Sequence, residues 1–363
     1  SDGNVYITGR FTGVVDFDPD PFEEAYLTSN DAFLEEISDD SDDGCKTPVG
    51  AGAPDPPGPV VPADSKWKCD AGDVFLAKYD KDGDLKWAQN FGGNGHVTST
   101  GNNEGYSVAV NTEGGVDYVY ITGWFIGDDV DFGPLGLAST VPAGDDCKLS
   151  DIDQGSSSTV AAGKRNGDVF FAKYDTDGKC RWANSFGHTH TDKGTGIAFD
   201  SAGSVYLLGQ YKRTVDFDPS NVGAAGNSVN SAADSILTSN SGDNNTFDVF
   251  LAKYDNDGIY QWAQSFGGEG NAYDTGENES YSVAINTEGG VDYVYITGTF
   301  LGEDVDFGPL GLPTDPDTGE VLAGATGCKL SGTPMVALAP LPRRHNGDVF
   351  FAKYDTDGKC RWA

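Results

Sequence analysis

The chain contains 363 residues and carries a formal net charge of −34, because 57 acidic side chains outnumber 23 basic ones. Such a surface repels the phosphate groups of nucleic acids and of anionic membranes, so neither is an expected partner. No apolar run approaches the roughly 18 residues of a membrane-spanning helix, and we predict no membrane span.

Two segments recur four times each along the sequence. The first reads NVYITGRFTGVVDFDP in unit one, and its copies begin at Asn4, Asp117, Ser204 and Asp292. The second reads DVFLAKYDKDGDLKWA in unit one, and its copies begin at Asp73, Asp168, Asp248 and Asp348. Repetition on this scale predicts a single repeat array over residues 1–363, with approximate units 1–91, 92–186, 187–266 and 267–363. The units differ mainly in their insertions, which cover residues 20–72, 133–167, 219–247 and 308–347.

Each unit is expected to form four antiparallel strands. In unit two, segments rich in aromatic and β-branched residues predict strands over Tyr106–Val110, Val119–Phe125, Asp168–Tyr174 and Arg181–Phe186. An Asp-Gly dipeptide follows the third strand of every unit, which predicts a tight hairpin with both central residues at positive φ. Helical patterns are nearly absent, so the fold class is all-β.

The faces of the third strand indicate how the units pack. In DVFLAKY, Val74 and Leu76 lie on one face, and Phe75, Ala77 and Tyr79 lie on the other. Because both faces are largely apolar, we expect every sheet to be covered on both sides. Sheets stacked around an axis form a β-propeller, and about four of its blades are present here. A mid-strand glycine in each unit marks a close approach of the backbone, at Gly9, Gly123, Gly209 and Gly298.

The chain begins and ends inside the repeat, and unit one lacks the YSVAV strand. We therefore expect further repeats on either side, forming a ring of six to eight blades or an open superhelical filament. The ring is the preferred alternative.

Six cysteines occur in a pattern that suggests pairs within units. Units two and four each have one in the insertion and one at the hairpin, unit one has two in its insertion, and unit three has none. Of the 15 possible pairings, this pattern favours Cys45–Cys69, Cys147–Cys180 and Cys328–Cys360. Zinc is the alternative, but no CxxC or Cys–His spacing supports it. Disulfides predict an extracellular or cell-surface protein, ahead of a periplasmic one.

Acidic residues at the hairpins raise the question of a calcium cofactor. The turn Y-D-x-D-G supplies two acids per unit and a third in unit one: Asp80, Asp82, Asp84, Asp175, Asp177, Asp255, Asp257, Asp355 and Asp357. Calcium prefers six to eight oxygen ligands, and known calcium loops place three or more acidic positions before the glycine. We therefore expect these aspartates to build the turns, with Ca²⁺ binding as the alternative hypothesis.

Other candidate sites are few. The closely spaced His188 and His190 lack an evident third metal ligand, and no nucleophile elbow or haem-attachment motif is present. Two sequons make Asn244 and Asn278 candidate glycosylation sites.

The motifs VYITGxFxGxVDFDP, DVFLAKYDxDGxxxWAxxFGG and GYSVAV resemble the bacterial seven-bladed β-propeller repeat, often called the SBBP repeat. The resemblance covers all four units but not the insertions. It implies a large secreted or surface protein, and it brings no catalytic residues.

Two functional classes follow. The first is a non-enzymatic extracellular scaffold whose variable loops contact other copies of the chain, other cell-surface proteins or glycans. The second is a secreted hydrolase or lyase that acts on glycans through a central channel. An enzyme should have distinctive polar residues in one blade, whereas these units are nearly alike outside their insertions. The sequence therefore favours the scaffold.

Overall fold

The structure is a computed structural model that describes residues 3–29, 72–92, 103–127, 129–136, 147–151, 167–188, 190–221, 235–239, 247–267, 278–302, 305–309, 328–332 and 347–363. Within these ranges the chain is nearly all β, and its single helical element is a 3-10 turn at Pro219–Asn221. The described strands form four larger antiparallel sheets and four two-stranded ribbons. The all-β prediction is therefore confirmed.

Each larger sheet falls inside one predicted unit, and its strands are adjacent in chain order. Sheet 1 contains the three strands Val5–Phe11, Asp73–Tyr79 and Leu85–Phe91. Sheet 2 contains Glu104–Glu113, Val116–Phe125, Asp168–Asp175 and Cys180–Phe186. Sheet 3 contains Lys193–Phe199, Val205–Tyr211, Asp248–Tyr254 and Tyr260–Phe266. Sheet 4 contains Glu279–Glu288, Val291–Phe300, Asp348–Asp355 and Cys360–Trp362.

A short ribbon forms the base of each insertion; it lies between the second and third strands of sheets 2, 3 and 4, and between the first two strands of sheet 1, which lacks the counterpart of their first strand. Ribbon 1 pairs Val14–Asp16 with Tyr26–Thr28, and ribbon 2 pairs Val130–Asp131 with Lys148–Leu149. Ribbon 3 pairs Thr214–Asp216 with Ile236–Thr238, and ribbon 4 pairs Val305–Asp306 with Lys329–Leu330. All four insertions thus leave the repeat at the same position, through the same small element.

The hairpin between the third and fourth strands differs from the predicted form. Only its glycine has positive φ, for example +92° at Gly83, whereas the preceding Asp82 does not. The amide of Gly83 donates to the carbonyl of Asp80, and the amide of Asp80 donates to the carbonyl of Asp84. This pattern is a three-residue loop, in which a type I turn is followed by one left-handed glycine. The prediction that both central residues have positive φ was wrong because the loop is one residue longer than the dipeptide suggested.

Apolar layers join each sheet to the next. One layer contains Val74 and Leu76 of sheet 1 together with Ile121 and Phe170 of sheet 2. Two further layers of the same kind lie between sheets 2 and 3 and between sheets 3 and 4. Burying apolar side chains between sheets stabilises the fold by about 25 cal/mol per Å². The four sheets are therefore stacked face to face, as the apolar residues on both faces of the third strand predicted.

The stacking is tighter along the first strands than along the fourth strands. The first strands of sheets 2, 3 and 4 contact one another in succession. At this edge there is little room, since a Cβ added to Gly194 of sheet 3 would lie 2.2 Å from Oγ1 of Thr122 in sheet 2. Toward the fourth strands, the Phe217 ring, which follows a strand of ribbon 3, packs on both sheets: it lies 4.9 Å from Phe186 of sheet 2 and 5.0 Å from Phe250 of sheet 3, and those two rings lie 5.6 Å from each other. The backbones of neighbouring sheets are therefore close along the first strands, and aromatic rings pack between the sheets toward the fourth strands.

The mid-strand glycines accommodate an aromatic ring and a neighbouring carbonyl. A Cβ on Gly123 would lie 1.9 Å from the carbonyl oxygen of Glu104 and 2.8 Å from the ring of Phe170. The predicted close approach is thus present, and its cause is packing between adjacent strands of one sheet.

The expectation that every sheet is covered on both faces holds only for sheets 2 and 3. The outward face of sheet 4 leaves Val349 74% and Phe351 51% exposed, and the outward face of sheet 1 leaves Val5 and Ile7 nearly half exposed. These two sheets are at the ends of the stack, so each has a described neighbouring sheet on one side only.

Candidate functional site

A lysine and a tryptophan of each sheet clamp the hairpin of the following sheet. Between sheets 2 and 3, Lys173 Nζ and Trp182 Nε1 both donate to the carbonyl oxygen of Asn256, at 3.0 and 3.3 Å. The side-chain amide of Asn184 donates to the next turn glycine, Gly258, at 3.2 Å. These bonds hold the turn of one unit against the strands of its neighbour.

The same clamp occurs at the other two sheet interfaces. Lys78 and Trp87 of sheet 1 donate to the carbonyl of Thr176, at 2.7 and 3.1 Å. Lys253 and Trp262 of sheet 3 donate to the carbonyl of Thr356, at 3.0 and 3.3 Å. Because the acceptors are main-chain oxygens at one fixed position of the turn, three interfaces share one hydrogen-bond pattern.

Aromatic rings and a carboxylate position the clamp lysine. Lys173 Nζ lies 4.4 Å from the ring centroid of Tyr118 and 2.7 Å from Oε2 of Glu113. The same Glu113 accepts a hydrogen bond from Tyr120, and burial with this bond raises the pKa of the Tyr120 hydroxyl. With its side chain only 5% exposed, Lys173 is a buried cation held by a carboxylate, a carbonyl and two rings. In sheet 3, Asp200 contributes the carboxylate instead, 3.5 Å from Lys253.

The hairpin aspartates, considered above as calcium ligands, serve first as turn acceptors. In every unit, Oδ1 of the first aspartate accepts two backbone amides of its own turn; the acceptors are Asp80, Asp175, Asp255 and Asp355. A hydrogen bond from Lys86 lowers the pKa of Asp80 to about 2, so this carboxylate is ionised at neutral pH. Within the described ranges, no three His, Cys, Asp or Glu side chains are grouped so that they could hold a metal ion. The geometry accounts for these aspartates as structural residues and does not bring them together as a calcium site.

Two of the three expected disulfides lie in the described residues. Cys147 pairs with Cys180 and Cys328 pairs with Cys360, with Cα–Cα distances of 6.6 and 6.4 Å. All four cysteines are buried in the apolar layers, where they join ribbons 2 and 4 to the fourth strands of their own sheets. Cys45 and Cys69 lie outside the described residues. The two insertions that carry a cysteine are thus fixed at their bases.

The histidine pair lies beside a buried carboxylate. Asp192 accepts the backbone amides of His188 and Lys212, at 3.0 and 2.9 Å. Burial raises the pKa of Asp192 well above its usual value and lowers the pKa of His188 and of His190. The Asp192 carboxylate thus joins the loop between two sheets to the end of the second strand of sheet 3, which gives this side chain a structural role.

Asn278 occupies the corresponding position in sheet 4. Its side chain is buried, accepts the amide of Leu301 at 2.7 Å and donates to the carbonyl of Phe247 at 2.8 Å. A glycan would replace one of the two hydrogens that this buried nitrogen donates, to the carbonyl of Phe247 and to Asp248, so the folded structure disfavours Asn278 as a glycosylation site. The other candidate, Asn244, lies outside the described residues.

The lysine–tryptophan clamp is the feature that sequence reasoning missed. A lysine within a strand is normally interpreted as a solvent-facing residue, yet the clamp lysines of sheets 1 to 3 lie at an interface. The available signal was the presence of Lys in all four copies of DVFxAKY, between residues that are otherwise apolar.

Comparisons with known proteins returned no family model that matches the chain and no matching curated protein. None of the described residues forms a helix of the length and apolarity needed to cross a membrane. Function is therefore inferred from the geometry of the described residues.

Proposed function

We propose that the chain is a non-enzymatic extracellular scaffold, built of β-propeller blades related to the SBBP repeat, that presents its insertions for self-assembly, adhesion or partner binding. This proposal rests on one observation: polar side chains that recur from unit to unit make contacts that hold the sheets and their turns together. The clamp lysines, tryptophans and turn aspartates that recur in each unit make contacts within the stack. What differs between units is the insertion.

The packing at the interfaces supports the propeller. Close backbone contact along the first strands, together with aromatic rings packed between the sheets toward the fourth strands, is the arrangement expected of blades that radiate from an axis near the first strands. The aromatic packing recurs at the other two interfaces through the triplets Phe91–Phe132–Phe170 and Phe266–Phe307–Phe350, with ring distances of 4.7 to 5.4 Å. Radial arrangement of four-stranded sheets around an axis is the definition of a propeller.

The disulfides support an extracellular location. The pairs Cys147–Cys180 and Cys328–Cys360 form in oxidising compartments and are rare in the cytosol. A net charge of −34 favours solubility and disfavours nucleic acid as a partner. Partners of the scaffold are then other copies of the chain, cell-surface proteins or glycans.

The insertions have an architecture suited to variable contacts. Each one starts from a ribbon whose phenylalanine is anchored in an apolar layer, as Phe132 and Phe217 are. Because the anchor is buried and common to the units, the remainder of the insertion can change in length and composition without altering the sheets. This separation of support from contact surface is typical of binding loops on a rigid framework.

Shortening two insertions tests the proposal. Residues 30–71 and 152–166 are replaced by Gly-Ser linkers, which keeps ribbons 1 and 2 and the Cys147–Cys180 bond intact. Assembly is followed by light scattering and electron microscopy, and adhesion by retention on cell surfaces and on a glycan array. We expect assembly or adhesion to be lost while the urea unfolding midpoint is unchanged. Unchanged assembly and adhesion would contradict the proposal, and turnover of a polysaccharide by the full chain would favour an enzyme instead.

A further inference from the structure

Five basic side chains lie together where the loop after sheet 2 meets sheet 3. They come from the segment GHTHTDK and from the end of the second strand of sheet 3, and we call them the cationic site: His188, His190, Lys193, Lys212 and Arg213. The buried Asp192 joins the two segments, since its carboxylate accepts the backbone amides of His188 and Lys212. Sheets 2 and 3 are both covered on two faces, so the site lies in the middle of the described stack.

Ring contacts and charge effects show that these side chains are close to one another. The Nζ atoms of Lys193 and Lys212 lie 5.8 and 3.9 Å from the ring centroid of Phe247, so a single ring contacts both cations. Burial, and after it the positive charge of Arg213, lowers the pKa of both histidines. The five side chains therefore share one region of positive potential.

Unit three reverses the charge that other units carry at these positions. Lys193 occupies the same register position as Glu104 of sheet 2 and Glu279 of sheet 4. Lys212 and Arg213 occur in YKRTVDF, whereas the corresponding segments of units two and four, FIGDDVDF and FLGEDVDF, carry two acidic residues there. Basic residues in place of acidic ones, in a chain with a net charge of −34, indicate a local role that differs from solubility.

The backbone of Arg213 has a conformation that favours glycine. Its φ is +63°, and the corresponding residue of unit one is Gly13, with a φ of +73°. Each of these two residues donates its amide to a serine hydroxyl and accepts the amide of the same serine, Ser29 after ribbon 1 and Ser239 after ribbon 3. An arginine in the left-handed region costs free energy that a glycine does not, so the turn alone gives no reason for arginine here.

Two cations of the site are accessible to a ligand. Arg213 is exposed and Lys193 is partly exposed, and neither forms an ion pair with an acidic side chain of the described ranges. Lys193 Nζ also lies 5.6 Å from the ring centroid of Trp124, which is partly exposed and whose indole nitrogen donates to Glu104. An oriented aromatic ring beside a cation offers a flat apolar surface to a sugar ring and a charge to its acidic group.

We propose that the cationic site binds the carboxylate or sulfate groups of an acidic extracellular polysaccharide. Arg213 pairs with one acidic group through its planar guanidinium, Lys193 pairs with another, and Trp124 packs on a sugar ring beside Lys193. The proposal rests on the extracellular scaffold function, which brings the chain to such a ligand, but it uses the junction of two sheets and not the insertions. An acidic peptide has the same charge but lacks the sugar ring that packs on Trp124.

The test measures binding of the full chain to polymers of different charge. Polygalacturonate carries carboxylates, dextran sulfate carries sulfates, unmodified dextran is uncharged, and poly-glutamate represents an acidic protein. Arg213→Gln removes one charge from the site, and Lys179→Gln is the matched control, because Lys179 is an exposed lysine in the hairpin at the opposite end of the strands of sheet 2. Biolayer interferometry gives the dissociation constants, and circular dichroism checks that each variant is folded.

We expect the native chain to bind polygalacturonate or dextran sulfate and not dextran, and the stronger of the two shows which acidic group the site prefers. Arg213→Gln should raise that dissociation constant about tenfold, as expected for the loss of one charge-assisted pair, whereas Lys179→Gln should change it by less than about twofold. Four results would overturn the inference: no binding of either acidic polysaccharide, equal binding of dextran, equal effects of the two substitutions, or tighter binding of poly-glutamate.

Replacing Arg213 by glycine separates ligand binding from support of the fold. Arg213→Gly relieves the unfavourable φ, so it should keep or raise the urea unfolding midpoint while it weakens polysaccharide binding as Arg213→Gln does. A lower midpoint with unchanged binding would show that Arg213 serves the fold alone, which would overturn the inference.

The insertion-shortened chain separates this inference from the scaffold proposal. Its replaced residues, 30–71 and 152–166, do not include the cationic site, so it should keep its affinity for the acidic polysaccharide even where it loses assembly. Loss of that affinity on shortening, with full affinity in Arg213→Gln, would overturn the cationic site and leave the insertions as the contact surface. Unchanged assembly and adhesion on shortening, with weakened binding in Arg213→Gln, would support the cationic site and contradict the role of the insertions.

Discussion

Removing the ring of Phe217 tests the aromatic packing between the sheets. This side chain is fully buried, and its ring lies within 5.4 Å of the ring centroids of Phe186, Tyr211 and Phe250. Truncation of a buried phenylalanine to alanine costs about 3–5 kcal/mol, so Phe217→Ala should lower the free energy of unfolding by that amount. Equilibrium urea unfolding monitored by tryptophan fluorescence measures the change, provided that the m-value stays constant.

The chain contains its own control at the same position of unit one. Phe17 contacts Phe11 and Phe75, at 5.5 and 5.0 Å, but among the described residues no sheet lies on its other side, and no ring there corresponds to Phe186. An aromatic pair contributes about 0.5–1.5 kcal/mol beyond its buried area, so Phe17→Ala should cost about 1 kcal/mol less than Phe217→Ala. If Phe17→Ala cost as much or more, the ring of Phe217 would not be stabilising the contact between sheets, and the argument for a radial arrangement would fail.

Four other predictions follow from the interfaces. Lys173→Met should lower the free energy of unfolding by about 2–3 kcal/mol, because the Glu113 carboxylate and the Asn256 carbonyl each lose a buried hydrogen-bond donor. Lys353→Met should lower it by about 1 kcal/mol or less, because the ion pair of Lys353 is partly exposed. Equal costs would argue against the clamp. Opening the Cys147–Cys180 bond, which spans 33 residues, should cost about 3–4 kcal/mol; this is measured without reductant as the difference in unfolding free energy between the native chain and a Cys147→Ser/Cys180→Ser chain, since both keep Cys328–Cys360 closed, and equal stability would contradict it. Burial raises the pKa of Asp192, so the native protein holds a proton there at pH values where the unfolded chain has released it. The free energy of unfolding of the wild type, relative to that of Asp192→Asn, should therefore rise as pH falls from above the native pKa toward about 4. A difference that stays constant over this pH range would exclude the linkage. A calcium chelator should shift the free energy of unfolding by less than about 1 kcal/mol, since the turn carboxylates already accept backbone amides; a larger stabilisation by added calcium would restore the metal hypothesis.

Strands and stacking were predictable because they depend on local residue types: aromatic and β-branched residues favour strands, and apolar residues on both faces favour covered sheets. The predicted strand Val119–Phe125 lies within the observed Val116–Phe125, and the apolar residues on both faces of DVFLAKY correctly indicated covered sheets in the middle of the stack. The turn type was not predictable from Asp-Gly alone, because loop length depends on how the two strands pair. The exposure of Phe351 was not predictable either. Its local sequence is that of the fully buried Phe171, so only the position of the unit in the stack distinguishes them.

The clamp also suggests why the repeat tolerates variation. The residue whose carbonyl accepts the lysine and tryptophan is Thr176, Asn256 or Thr356, and its side chain takes no part in those bonds. A main-chain acceptor is present whatever residue occupies the position, so the turn can change without weakening the interface. The specificity of the contact then depends on the lysine, the tryptophan and the geometry of the hairpin, all of which recur in every unit. The three described interfaces are joined in this way, so the sequence of the turn and of the insertion can differ between units while the contact between sheets is kept.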